Sequence, residues 1–140
     1  MYSSGQFGAR AYSRVGVQTS VVDASPHRVI LLLYEGARRT LAVARIALRN
    51  GDHAAKGKAL SQAIGIIGAG LQQALNLEAG GEIAARLNQL YDYMTRRLMI
   101  AALQKDDAII VEVDALLAPL EDAWRSIGQE VDNPLATVGA

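Results

Sequence analysis

A chain of 140 residues, 51% apolar and with zero formal net charge, can bury one core and is too neutral for a general nucleic-acid or membrane-surface binder. It has no cysteine, which excludes disulfide and thiolate sites and fits the cytoplasm. No apolar run approaches the ~20 residues of a membrane span, so stable membrane insertion is not expected, and Ser3, Ser4, Gly5, Gln6, Gly8 and Arg10 interrupt any leader-like run.

Residues 1–24 show no sustained period. Tyr2, Phe7, Tyr12, Val15 and Val17 are scattered among small and polar residues, so this stretch is expected to be a flexible N-terminal cap segment. Ser25-Pro26 is a helix start: a serine hydroxyl caps free amides, and proline suits the first helical position. The first helix is predicted to run to about Asn50. Its inner stripe is Ile30, Leu33, Tyr34, Ala37, Leu41, Ala44 and Leu48. Val29, Leu31 and Leu32 make its first turns apolar nearly all round, so more than one neighbour should cover that end. Gly51 supplies the stop.

Asp52 should cap the second helix, with its stripe at Leu60, Ala63, Ile64, Ile67, Leu71, Ala74 and Leu75. Gly65, Gly68 and Gly70 lie inside it, each costing roughly 1 kcal/mol against alanine. They are explained either by close helix approach or open space for a ligand chain, or equally by local softness without function. Ile66 points away from the stripe and is expected on the surface. Gly80-Gly81 breaks the chain before a third helix, from near Ile83 to near Lys105. Ile83, Leu87, Leu90, Tyr91, Met94, Leu98 and Ala101 form its inner stripe. Beside that stripe runs a second line of Tyr93, Arg97 and Ile100, with Arg96 adjacent. It reads either as a partner surface, with apolar bodies beside bidentate donors, or as a widened core stripe beside solvated arginines.

Asp106 or Asp107 caps the fourth helix, whose stripe is Val113, Leu116, Leu117, Leu120, Trp124 and Ile127. Pro119 lacks an amide and crowds the preceding turn, so the helix is expected to bend or unwind near Ala115. The period fails from Gly128, and 128–140 reads as a disordered tail. The fold class is therefore all-α: an antiparallel four-helix bundle over 25–127 behind a mobile N-terminal segment.

No catalytic residue, cofactor site or metal site is expected. Gly51 to Lys58 fails as a phosphate loop: its glycines are one residue too far apart, Ala59 stands where a Ser or Thr is needed, and no strand precedes it. A di-metal bundle needs Glu-x-x-His pairs. Only His27 and His53 exist, both expected to be exposed at helix starts, and Glu35, Glu112 and Glu121 count as outward or flanking. Arg38-Arg39 and Arg96-Arg97 are expected to be solvated.

The order and spacing of several segments carry a resemblance. These are Ala24-Ser25-Pro26-His27 leading into Leu32-Leu33-Tyr34-Glu35-Gly36-Ala37, then Ala55-Lys56-Gly57-Lys58-Ala59-Leu60-Ser61. Next come Gly80-Gly81-Glu82-Ile83-Ala84 and Leu90-Tyr91-Asp92-Tyr93-Met94 with Arg96-Arg97-Leu98. Glu112-Val113, Leu116-Leu117 and Asp122-Ala123-Trp124 complete it. From Tyr12 to about Ile127 the chain resembles the FliS family of flagellin-specific export chaperones of bacteria. The resemblance implies a cytoplasmic helical bundle that binds the disordered C-terminal segment of flagellin, keeps it from polymerising early and delivers it to the flagellar type III export gate. It also implies that the segment holding Tyr12 covers apolar surface until the client arrives. Ala101-Ala102, the helix-two glycines and Pro119 depart from the family's usual pattern. The expected partner-binding residues are Tyr12, Ile66, Tyr93, Arg96, Arg97, Ile100 and Leu103. The alternative is a helical self-assembling module, and a homodimer of the free protein stays open.

Overall fold

Ser25 and Pro26 start the first helix as their chemistry predicts. The Ser25 hydroxyl accepts from the Arg28 amide at 3.1 Å, and Pro26 opens α1, Pro26–Arg49. The computed structural model describes residues 25–132, with side chains as far as Gly128. The cap segment 1–24, with Phe7, Tyr12 and Val15, and residues 133–140 lie outside the described residues. Gly51, at φ +69°, makes the turn after α1 that an L side chain would resist. The Asp52 carboxylate then caps α2, His53–Gly65, accepting from the Ala55 amide at 3.0 Å.

α2 continues without a break into a π-helical segment, Ile66–Gln72. A second left-handed glycine, Gly81 at φ +57°, opens α3, Gly81–Ala101. The Asp106 carboxylate accepts from the Ala108 amide at 3.1 Å where α4, Ala108–Asp132, begins. Thus α3 starts two residues before Ile83 and stops short of Lys105, while α4 passes the expected limit at Ile127.

The inner stripes meet in one core that includes Leu33, Tyr34, Leu41, Leu60, Ile67, Leu71, Tyr91, Met94, Leu98, Val113 and Leu117. Full burial of each such side chain contributes about 1.5–3 kcal/mol before the cost of ordering it. Val29, Ile30, Leu31 and Leu33 are all buried, as an end apolar nearly all round requires. Helices α1 and α4 are antiparallel. Arg45 meets Asp107, Arg38 meets Asp114, and Arg125 meets Glu35, so the numbering rises on one helix as it falls on the other. Across the core Tyr34 of α1 and Tyr91 of α3 join hydroxyls at 2.5 Å, both fully enclosed. A satisfied polar link in a dry core fixes which helices face each other, because a misaligned pair would leave hydroxyls unbonded.

Several expectations are overturned. Ile83 is 66% exposed, because the first turn of α3 projects past the core edge and Ala84 packs in its place. At the end of α4 Ile127 is exposed and Gly128 is buried. Glu121 is buried rather than outward, and its carboxylate takes Arg125 at 2.8 Å and Arg38 at 3.4 Å. His27 is not a free surface residue. Its ring stacks on Trp124 with centroids 4.7 Å apart. Arg38 and Arg97 are ion-paired rather than solvated. Of the bend or unwinding expected at Pro119, the unwinding does not occur: α4 is one continuous helix through Ala115. Pro119 and Ala115 both face solvent, so water can serve the carbonyl that the proline cannot.

Candidate functional site

The outer face of α3 carries Tyr93, Arg96, Arg97, Ile100 and Leu103 within a short distance of chain, and α4 supplies the residue that organises them. Glu112 accepts from the Tyr93 hydroxyl at 2.6 Å through one carboxylate oxygen and from Arg97 Nε at 3.0 Å through the other. Sequence pattern gives no sign of this arrangement. Glu112 is fifteen or more residues away, and only the antiparallel return of α4 brings it alongside.

Its electrostatics follow from those two bonds. Donation by Tyr93, and then by Arg97, holds the Glu112 carboxyl below its ordinary range. The same bond to Glu112, helped by desolvation, raises the Tyr93 phenol, and it raises the Arg97 guanidinium as well. Tyr93 is therefore fixed as a neutral donor and Glu112 as an anion at neutral pH. Polar valences of this line are partly committed inside the molecule, and its apolar bodies stay available.

The apolar part is more exposed than the sequence pattern suggests. Ile100 is 43% exposed, Leu103 is 88%, and neighbouring Met99 and Val111 are also open to solvent. Leu103 lies in the turn after α3, where no inner stripe can claim it. Arg96 is largely solvated; its Nε donates to the Asp92 carbonyl at 3.3 Å and its guanidinium stands 3.7 Å from the Asp92 carboxylate. Met99 and Val111 had no signal in the sequence, because an exposed apolar residue beside a stripe looks the same as one that widens it. The structure thus brings Tyr93, Arg96, Arg97, Ile100 and Leu103 onto one face. Ile66 does not join them: it is fully buried. The π-helical segment continues α2 and packs on both α1 and α3, and that packing encloses Ile66. Tyr12 lies outside the described residues.

At the base of this face the Lys56 ammonium, almost wholly buried, donates to the Gln104 carbonyl and ties α2 to the turn after α3. Sequence reasoning missed it, since a lysine in a helix is normally solvated and only the stem's packing draws it in. Among the described residues no group of His, Asp or Glu could hold a metal ion. No helix among them is long and apolar enough to cross a membrane. A surface of exposed aliphatic side chains edged by arginines is suited to binding another polypeptide.

Comparison with known proteins gives this face a context. A family model described as "Flagellar protein FliS" matches residues 8–131. A Salmonella typhimurium protein named flagellar secretion chaperone FliS is 49% identical over 120 residues, covering 86% of this chain and 89% of the relative. A Pseudomonas aeruginosa protein named flagellar secretion chaperone FliSB is 42% identical over 118 residues, or 84% of this chain and 93% of the relative. The Bacillus subtilis protein of the FliS name is 34% identical over 110 residues, covering 77% and 79%. The match runs through all four helices, and on it the chain belongs to the FliS family of flagellar proteins.

Proposed function

We propose that the protein is a non-enzymatic, cytoplasmic export chaperone. It binds the disordered C-terminal segment of flagellin, prevents premature polymerisation and delivers the client to the flagellar type III export gate. The observation that carries this reading is the near full-length likeness to relatives named flagellar secretion chaperones. The exposed row of Met99, Ile100 and Leu103 beside Tyr93 and Arg97 supports it, since a single bundle has no internal use for that row. In this reading Ile100 and Leu103 bury apolar residues of the client, Arg96 and Arg97 meet its carboxylates or carbonyls, and Tyr93 borders that surface. Tyr12 belongs to a segment that competes for the same surface. Ile66, being in the core, is not a contact.

The client gains helix as it binds, so part of the interaction free energy offsets its ordering. The test is calorimetric titration of a flagellin C-terminal peptide into the intact protein. One-to-one binding with a negative heat-capacity change is expected, with modest dependence on salt. Ile100→Ala with Leu103→Ala should weaken it about tenfold or more without unfolding the bundle, because both side chains are exposed. No binding by the native protein overturns the chaperone reading. Unchanged binding by the double variant overturns only the surface.

A further inference from the structure

Helix α1 carries a second open face that its place in the bundle does not use. Arg39, Ala42, Val43 and Ile46 fall at i, i+3, i+4 and i+7, and all four are exposed, with Val43 at 49% and Ile46 at 55%. The stripe is therefore continuous over two turns, apolar in the middle and cationic at its N-terminal end.

Charge on this face is unbalanced in a chain whose total is zero. From Gly36 to Asn50 there are four arginines and no acidic residue. Two of them are neutralised by α4: Arg38 by Asp114 at 2.8 Å and Arg45 by Asp107 at 3.0 Å. Among the described residues Arg39 and Arg49 make no ion pair or side-chain hydrogen bond. They bracket the apolar stripe at its two ends. A cleft of about 270 Å³ opens beside the stripe, lined by Arg38, Arg39, Leu41, Ala42, Arg45 and Asp114.

We infer that this face docks an amphipathic helix of a partner protein, with an aliphatic stripe flanked by carboxylates. The aliphatic residues lie on Ala42, Val43 and Ile46. The carboxylates pair with Arg39 and Arg49, and one enters the cleft beside Arg39. Complementarity selects this occupant. A second copy of the chain packed antiparallel through the same stripe would bring Arg39 against Ile46 and offer no free carboxylate, since Glu35 is already held by Arg125. A membrane surface is disfavoured because the apolar part is short and has no aromatic residue.

The face is separate from the one on α3. Helix α1 packs on α2, the π-helical segment and α4, and α3 packs on the same three, so α1 and α3 stand diagonally opposed. The two faces flank α4 separately: Arg38 and Arg45 reach Asp114 and Asp107, whereas Tyr93 and Arg97 reach Glu112. A partner on α1 can therefore be bound while the α3 face is filled.

The test uses the full chain and a synthetic helical peptide with one leucine face flanked by glutamates, with a lysine-flanked peptide as control. Amide chemical shifts should change along α1 from Arg39 to Arg49 with the acidic peptide. The lysine peptide should bind about tenfold more weakly. Val43→Asp should weaken the acidic peptide by about tenfold or more, and Arg39→Glu should reverse the preference between the two peptides. Ile100→Ala should change neither affinity. All of these positions are exposed, and unchanged circular dichroism confirms that each variant folds. Equal affinity for the two peptides, or shifts centred on α3, overturns the inference. So does self-association of the protein abolished by Val43→Asp, and so does Val43-dependent sedimentation with phosphatidylserine vesicles.

Discussion

His27 and Trp124 each donate a ring N–H to the other's main-chain carbonyl while their rings lie stacked. His27 Nε2 reaches the Trp124 oxygen at 2.6 Å, Trp124 Nε1 reaches the His27 oxygen at 2.9 Å, and the planes differ by 6°. The pair joins the first turn of α1 to the far end of α4, residues 97 apart in sequence. It gives the tryptophan N–H a partner inside the bundle and adds a second donor to a carbonyl within α4.

Gly128 is part of this clasp. A Cβ there would stand 2.1 Å from His27 Cε1 and within 2.8 Å of both ring nitrogens. Gly128→Ala must push the imidazole off Trp124, at about 1–3 kcal/mol, offset by up to ~1 kcal/mol of helix propensity. Urea unfolding followed by the fluorescence of the single tryptophan measures it. Combining His27→Ala with Gly128→Ala should remove most of the added cost, since the clashing ring is gone. Strict additivity in that cycle would show that the glycine matters for another reason.

The π-helical glycines should behave oppositely to each other. A Cβ at Gly68 meets nothing closer than Thr95 Cγ2 at 4.0 Å, whereas one at Gly70 meets two Leu33 methyl carbons at 3.0 and 3.3 Å. Leu33 is fully buried and cannot step aside cheaply. Gly68→Ala is expected to raise stability by about 0.5–1 kcal/mol, and Gly70→Ala to lower it by about 1 kcal/mol. Equal effects on the denaturation midpoint would sink this reading of the close approach.

Glu112 makes the stability of the α3–α4 contact depend on acid. Its folded pKa is depressed by Tyr93 and Arg97. The contribution is therefore present above the unfolded carboxylate range and is lost as pH falls through the lower folded value. Glu112→Gln should be less stable than the native protein at neutral pH, and the gap should narrow on acidification. Urea midpoints at a series of pH values check it; a gap that is constant with pH is the contrary result.

Pro119 is an internal, exposed proline in an otherwise regular helix. Pro119→Ala restores a hydrogen bond to the Ala115 carbonyl and removes the ring's crowding, while giving the unfolded chain more freedom. The net expectation is a gain of about 1–2 kcal/mol, read as a higher thermal midpoint. A lower midpoint would mean that the proline ring packs usefully.

Local chemistry determined the elements. Ser25, Pro26, Gly51, Asp52 and Gly81 mark boundaries through caps and left-handed turns that involve only neighbouring residues, and the 3.6-residue periods gave most of the core. Four stripes with short connections then imply a bundle. The face of Tyr93, Arg97 and Ile100 was visible as a line beside a stripe, though its exposure was not. What remained depended on which helix returns beside which. Glu112 reaches Tyr93 and Arg97, Glu121 is drawn between two arginines, and His27 meets Trp124 only once α4 lies along α1 and α3. Ile66 was misplaced for the same reason. A residue that leaves one stripe is exposed only if no second neighbour covers it, and the π-helical segment packs on both α1 and α3. Periodicity records one buried direction, whereas burial is set by all the surfaces that close around a side chain, and those are fixed by tertiary packing.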